Sequence, residues 1–210
     1  MKHAENNYIQ FGCGTCCPVE WRNFDASPVL HLKAFPFVGE ILTSLLGKFP
    51  ENVEYGDIIK GLPIFDGSAD AIYCSHVLEH LWRDECVVAL ANTYRYLKPG
   101  GVFRLVVPDI SKLAKGYFGD TDPNAGLDFV SGLQLVSPER PRGLISFLRS
   151  YFGHSQHRWM WDYGGLEKHL REAGFSKIRE AEFGDSQLEI FNIVEDKSRF
   201  DYSVCIECEK

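Results

Sequence analysis

The run Gly56-Asp-Ile-Ile-Lys-Gly-Leu-Pro-Ile-Phe-Asp-Gly-Ser-Ala-Asp-Ala-Ile-Tyr-Cys-Ser-His-Val-Leu-Glu-His-Leu81, followed by Leu97-Lys-Pro-Gly-Gly-Val-Phe-Arg-Leu-Val-Val-Pro-Asp109, decides the fold. It holds two apolar strands, Ala69 to Cys74 and Gly101 to Val107, too short for buried helices and each bounded by turn residues. Between them Leu81, Cys86, Val87, Leu90, Ala91, Tyr94 and Leu97 recur at helical spacing, predicting an amphipathic helix over Glu79 to Leu97. Lys98 suits the negative end of that helix, Pro99 stops it, and Gly100 and Gly101 supply the backbone freedom to re-enter a sheet. Strand, helix, strand in this order is a parallel βαβ unit.

Working outward, strands are expected at Tyr8 to Phe11, at a segment ending near Phe24 and Asp25, and at Val53 to Tyr55. Downstream, a helix over Tyr163 to Ala173 closes at Gly174, and strands follow at Lys177 to Phe183 and Tyr202 to Glu207. Two insertions interrupt the pattern. One spans about 28–50 and contains an amphipathic stretch, Phe37 to Leu46; the other, about 110–160, is aromatic and punctuated by glycine and proline, with short helices such as Gly143 to Phe152 and no clear strand. At 210 residues the chain is expected to form a single α/β domain over 1–210.

Composition narrows the function. With 45% hydrophobic and 24% charged residues the chain reads as an ordinary globular protein, no apolar run reaches the length of a membrane span, and residues 1–10 lack the pattern of a signal peptide. The expected compartment is the cytoplasm. Seven cysteines, most of them in apolar runs, are expected as reduced thiols. A net charge of −7 lacks the basic footprint of a nucleic-acid binder.

The chemistry sits at strand ends. Phe11-Gly12-Cys13-Gly14-Thr15 follows the first strand, where glycines let the backbone turn sharply and approach a ligand closely. Asp25 ends the second strand, where a carboxylate can accept hydrogen bonds from both ribose hydroxyls. Asp57 and Ile58 follow the third, suited to the amino group and the face of an adenine. Open α/β sheets bind ligands in the crevice at the carboxyl ends of their strands.

These pieces resemble the class I S-adenosylmethionine-dependent methyltransferases, in particular the methyltransferase-11-like group. The resemblance runs from Tyr8 to Asp109 and rests on FGCGT (11–15), Asp25, the 56–81 segment and LKPGGVFRLVVPD. It implies a Rossmann-like, mostly parallel seven-stranded sheet with helices on both faces and an antiparallel last strand, here Tyr202 to Glu207. It further implies S-adenosylmethionine as cofactor, S-adenosylhomocysteine as product, Phe11, Gly12, Cys13 and Gly14 beside the methionine part, Asp25 on the ribose, Asp57 and Ile58 on the adenine, and Ser75 and His76 at the rim beside the sulfonium. The pattern of His154, His157 and Arg158 is similar to uncharacterised bacterial members associated with surface-glycan biosynthesis. Two departures stand out: Cys16 replaces the third glycine of the usual loop with too few residues before Asp25 for a full helix, and few residues precede the first strand. The cofactor pocket is therefore expected to be open, or closed by the later insertion or by a second copy in a homodimer.

For an oxygen acceptor, small-molecule or glycan-like, a histidine base is expected, with His76 best placed and His154 or His157 next; Asp109, His154, His157 and Arg158 are the candidate acceptor-binding residues. His76-x-x-Glu79-His80 also matches the HxxEH pattern of the inverted zincins, but it follows a strand and lacks an evident third ligand, so Glu79 and His80 read as the cap and solvated start of a helix. Cys13-x-x-Cys16-Cys17 and Cys205-x-x-Cys208 have zinc-like spacing, yet residues three apart on a strand point to opposite faces, and no metal is assigned. Two other classes stay open: a non-catalytic module of the same fold, and an NAD-dependent oxidoreductase, which shares Gly-x-Gly followed by an acidic residue.

Overall fold

The computed structural model describes residues 7–27, 30, 50–136 and 156–210. The expected elements at Phe37 to Leu46 and Gly143 to Phe152 lie outside the described residues, as does His154. Seven strands form one sheet: β1 (Tyr8–Phe11), β2 (Trp21–Asp25), β3 (Val53–Tyr55), β4 (Ala69–Ser75), β5 (Leu97–Pro108), β6 (Ser176–Ala181) and β7 (Ser203–Glu209), in the order β3-β2-β1-β4-β5-β7-β6. β1 pairs parallel with β2 and β4, and β4 parallel with β5. β7 inserts antiparallel between β5 and β6. This order reverses direction at β1 and β4, so the crevice at their carboxyl ends is the topological switch point.

The central strands are apolar on both sides, as a covered parallel sheet requires. Alternation sorts them into two cores: Ile72, Cys74, Phe103, Leu105, Val107, Val204, Ile206 and Cys208 face one side, and Tyr73, Val106 and Cys205 the other. The first side is covered by α1 (Arg83–Tyr96) through Cys86, Ala89 and Leu90, and by α4 (Tyr163–Ala173) through Leu166 and Leu170. The second is covered, among the described residues, by Phe191 and Val194 from the short 3-10 segment Glu189–Ile193 and the residue that ends it. Cys205 and Cys208 lie on opposite faces, and all seven cysteines are free thiols. The later insertion holds α2 (Ile110–Gly119) and α3 (Ala125–Leu133), joined by Tyr117 stacked on Phe129 at 5.2 Å. No described helix is long and apolar enough to cross a membrane.

Two boundaries differ from expectation by more than two residues. β5 begins at Leu97 because Leu97 pairs with Ala69; the register then shifts, with Gly100 at φ +76° and Gly101 so close to Ala69 O that a Cβ there would sit 3.1 Å from it. The helix expected from Glu79 is instead a 3-10 turn, Leu78–His80, and α1 starts afresh at Arg83. The carbonyl of Glu79, which a continuous helix would spend on Arg83 N–H, accepts from Arg158 N at 2.6 Å and Trp159 N at 3.2 Å. Glu85 Oε2 then accepts from Trp82 N at 3.0 Å and starts the new helix.

Candidate functional site

The loop after β1 makes a sharp turn with Gly12 at φ +64° and Gly14 at φ +55°. A Cβ on Gly12 would meet Val77 Cγ2 at 2.2 Å, so this glycine is required by the close approach of the segment after β4; a Cβ on Gly14 meets nothing within 4 Å. Asp25, at the end of β2, holds the loop: its Oδ2 accepts from Gly14 N at 3.1 Å and its Oδ1 from Ser27 N at 2.8 Å. Cys13 is buried, with Cys17 Sγ at 3.7 Å. Burial, then Cys17 and Asp25, push its thiol well above the ordinary cysteine value, leaving a neutral packing group. Phe11 is buried in the core beneath the loop.

After β3, Asp57 Oδ1 accepts from Ile59 N at 2.9 Å and its Oδ2 pairs with Lys60 Nζ at 3.1 Å. Ile58 turns inward to the core, and its carbonyl accepts from Asn92 Nδ2 at 2.7 Å. At the end of β4, Ser75 Oγ is buried without a hydrogen-bond partner among the described residues. His76 follows at φ +54°, a strained conformation for a residue with a Cβ. Its backbone N–H donates to Val106 O at 2.8 Å, its Nε2 to Arg199 O at 3.0 Å, and its Nδ1 lies 3.2 Å from Glu79 Oε1. Burial lowers the imidazolium's stability, but the adjacent Glu79 carboxylate and the Arg199 carbonyl outweigh it and hold the pKa above the ordinary value. Both ring nitrogens are thus engaged, and His76 is not the free base expected from sequence.

The segment after the insertion folds back on this turn. Besides the two bonds to the Glu79 carbonyl, Trp161 Nε1 donates to Leu78 O at 3.4 Å, and His80 Nδ1 to Gln156 O at 3.2 Å. This brings His157 against His80, with ring centroids 5.2 Å apart. His157 is buried, its Nδ1 donates to Leu133 O at 2.8 Å, and burial holds its pKa below the ordinary value. Glu79 is fully buried rather than solvated, and among the described residues neither carboxylate oxygen has a hydrogen-bond partner of good geometry. Sequence periodicity concealed this, because Glu79 and His80 fit a helix start; the pairing signal was the second histidine of Gly153-His-Ser-Gln-His157. Arg158 is exposed, its guanidinium 5.1 Å above the Trp82 ring. Asp109 is buried and caps α2, its Oδ1 accepting from Ser111 N at 2.8 Å.

A sheet of this order, with a glycine turn after β1 and a carboxylate after β2, is that of a class I S-adenosylmethionine-dependent methyltransferase. Residues 9–105 match the family model described as Methyltransferase domain, and the match supports a class I methyltransferase of the methyltransferase-11-like kind with S-adenosylmethionine as cofactor. No curated protein matches it. In fold it is similar to a Thermotoga maritima S-adenosylmethionine-dependent methyltransferase described as a possible histamine N-methyltransferase (16% identity, TM-score 0.51, 97% of this chain and 82% of that one). It is similar too to an Archaeoglobus fulgidus S-adenosylmethionine-dependent methyltransferase (16%, TM-score 0.50, 98% and 86%) and to PigF bound to S-adenosylhomocysteine (19%, TM-score 0.51, 98% and 56%).

The residues present fit the cofactor. Open space faces Gly14, Asp25 keeps carboxylate lone pairs beyond the two given to backbone N–H groups, and Ser75 Oγ is a buried polar atom at the end of β4 without a hydrogen-bond partner of good geometry among the described residues.

Proposed function

We propose that the chain methylates a hydroxyl of a small-molecule or glycan-like acceptor held between the carboxyl end of β4 and the 156–161 segment. The observation that carries this reading is the convergence of His76, Glu79, His80 and His157 at the end of β4, joined to the glycine loop through Val77. S-adenosylmethionine supplies an electrophilic methyl group on a sulfonium. The chain's own residues orient and deprotonate. Asp25 binds the ribose hydroxyls, the backbone at Gly12, Cys13 and Gly14 borders the methionine part, Asp57 takes the adenine amino group beside the Ile58 turn, and Ser75 stands at the rim. Orientation of this kind supplies several kcal/mol of the barrier reduction. The acceptor hydroxyl gives its proton to the carboxylate of this cluster, which His76 holds in place through Nδ1. Arg158 and Trp159, exposed on the same segment beside Trp82 and Arg83, are the acceptor-binding candidates there. Free thiols throughout suit a reducing cytoplasm.

Calorimetric titration with S-adenosylhomocysteine and, separately, with NAD tests the cofactor half of this reading. The expected result is binding of the former alone, weakened about tenfold or more by Asp25→Ala, which removes charge-assisted hydrogen bonds of roughly 1.5–3 kcal/mol. Failure to bind either leaves a module that keeps only the sheet. Turnover in an acceptor screen tests the other half, and unchanged turnover in His76→Ala removes that residue from it.

A further inference from the structure

We propose that Glu79, His80 and His157 form a site for one divalent transition-metal ion, with His76 holding the Glu79 carboxylate from its far side. One ligand atom from each of the three lies within 4.8 Å of the others, and His80 Nε2 is 3.9 Å from Glu79 Oε1. An ion bonded at roughly 2.0–2.2 Å to each closes such a set with modest side-chain rotation.

Three independent features point the same way. The first is the carboxylate. Glu79 is fully buried, and among the described residues neither oxygen has a hydrogen-bond partner of good geometry; His76 Nδ1, 3.2 Å from Oε1, meets one side of the carboxylate, and a cation on the other side would offset the cost of burying it. The second is the tautomers. A carbonyl oxygen only accepts, so His80 and His157 carry their protons on Nδ1, bonded to Gln156 O and Leu133 O. Each Nε2 is left with its lone pair. Metal-binding histidines are oriented in this way, the second ring nitrogen donating to a carbonyl or carboxylate. The third is the backbone. The bonds from Arg158 N and Trp159 N to the Glu79 carbonyl break the helix at that point and pin His157 to the turn carrying Glu79 and His80. The HxxEH spacing in the sequence lacked a third ligand; in this site Glu79 and His80 of that run bind together with His157, and His76 does not bind the ion.

Imidazole and carboxylate donors suit zinc, iron, cobalt, nickel or copper better than magnesium or calcium. Three protein ligands leave coordination positions free, the pattern of a working metal and not of a structural one. An oxygen donor on the acceptor, a hydroxyl with a second oxygen beside it, fills them and is made more acidic by the ion. That last role rests on the methyltransferase reading above; the ion site itself does not.

Protein stripped with a chelator is titrated with Co2+ and followed by visible absorption, then challenged with Zn2+, with S-adenosylhomocysteine binding measured on the same samples. Expected are one equivalent of cobalt per chain, no thiolate charge-transfer band, displacement by zinc, and a loss of affinity of at least about a hundredfold in His157→Ala and in Glu79→Gln. Glu79→Gln preserves the side-chain volume and removes the buried charge, so it is expected to raise the thermal midpoint of the metal-free protein while abolishing the rise that Zn2+ gives the parent. Cys16→Ser and Cys17→Ser are expected to bind cobalt as the parent does. Cobalt binding that survives Glu79→Gln, or a thiolate band lost in the cysteine variants, overturns the site. S-adenosylhomocysteine binding without cobalt binding overturns the ion site alone, and the reverse pattern overturns the cofactor reading alone.

Discussion

Gly12 and Gly14 sit two residues apart in the same left-handed conformation, and the residues around them make them unequal. At Gly14 an added methyl group meets only strain, about 1–2 kcal/mol for an L residue in that region. At Gly12 it also collides with Val77 Cγ2, and the loop or the turn after β4 must move. Gly12→Ala is therefore expected to lower the thermal midpoint well beyond Gly14→Ala, and Val77→Ala to restore part of the loss in Gly12→Ala while leaving Gly14→Ala uncorrected. A double-mutant cycle in thermal unfolding measures this, and additivity of Gly12→Ala with Val77→Ala would show the contact carries no energy. The need for glycine at position 12 was legible in FGCGT as a tight turn. Its partner was not, because Val77 reaches the loop only through the parallel pairing of β1 with β4.

At the scale of elements, β1 and β3 and the helix Tyr163–Ala173 were legible to the residue, since each is bounded by turn chemistry that the chain itself supplies: Asp162 caps the helix by accepting from Gly165 N at 2.7 Å, and Gly174 closes it at φ +109°. The start of α1 was not, because a competing donor from 80 residues away took the carbonyl that defines it. Asp109 shows the same limit from the other side. Read from sequence as an acceptor ligand, it ends β5 and caps α2 with Oδ1. Asp109→Ala is expected to cost about 1 kcal/mol in urea unfolding, the ordinary worth of such a cap, and Asp109→Ser to recover most of it. Equal stability of the alanine variant and the parent would show the cap carries nothing, and lost turnover in a fully stable Asp109→Ser would return the residue to the acceptor.

Across the whole molecule, the far half of the sheet is held by charges and not by apolar packing alone. Arg104, fully buried in the middle of β5, pairs with Glu195, with Asp185 at 3.0 Å and with Glu207 at 3.1 Å, and donates to Glu182 O at 2.6 Å. No periodicity announced it, because the carboxylates that pair with it come together only when β7 inserts beside β5 and residues 182–195 fold against them. Arg104→Leu strands the fully buried Glu195 and is expected to cost about 3–5 kcal/mol in chemical unfolding, a loss that Arg104→Leu with Glu195→Leu largely recovers. The network also sets an acid limit. Burial raises the Asp185 carboxyl, but Arg179 and Arg104 outweigh it and bring its pKa down to about 2. Its folded value lies below its unfolded one, so its contribution to stability is complete above about pH 4 and vanishes as pH falls through about 2. Asp185→Asn is then expected to be less stable than the parent at neutral pH, to show a shallower decline between about pH 4 and 2, and to meet the parent's curve at the acid end. Parallel curves over that range would mean that Asp185 is as well solvated folded as unfolded, and that Glu195, Glu207 and the Glu182 carbonyl hold Arg104 in the sheet without it.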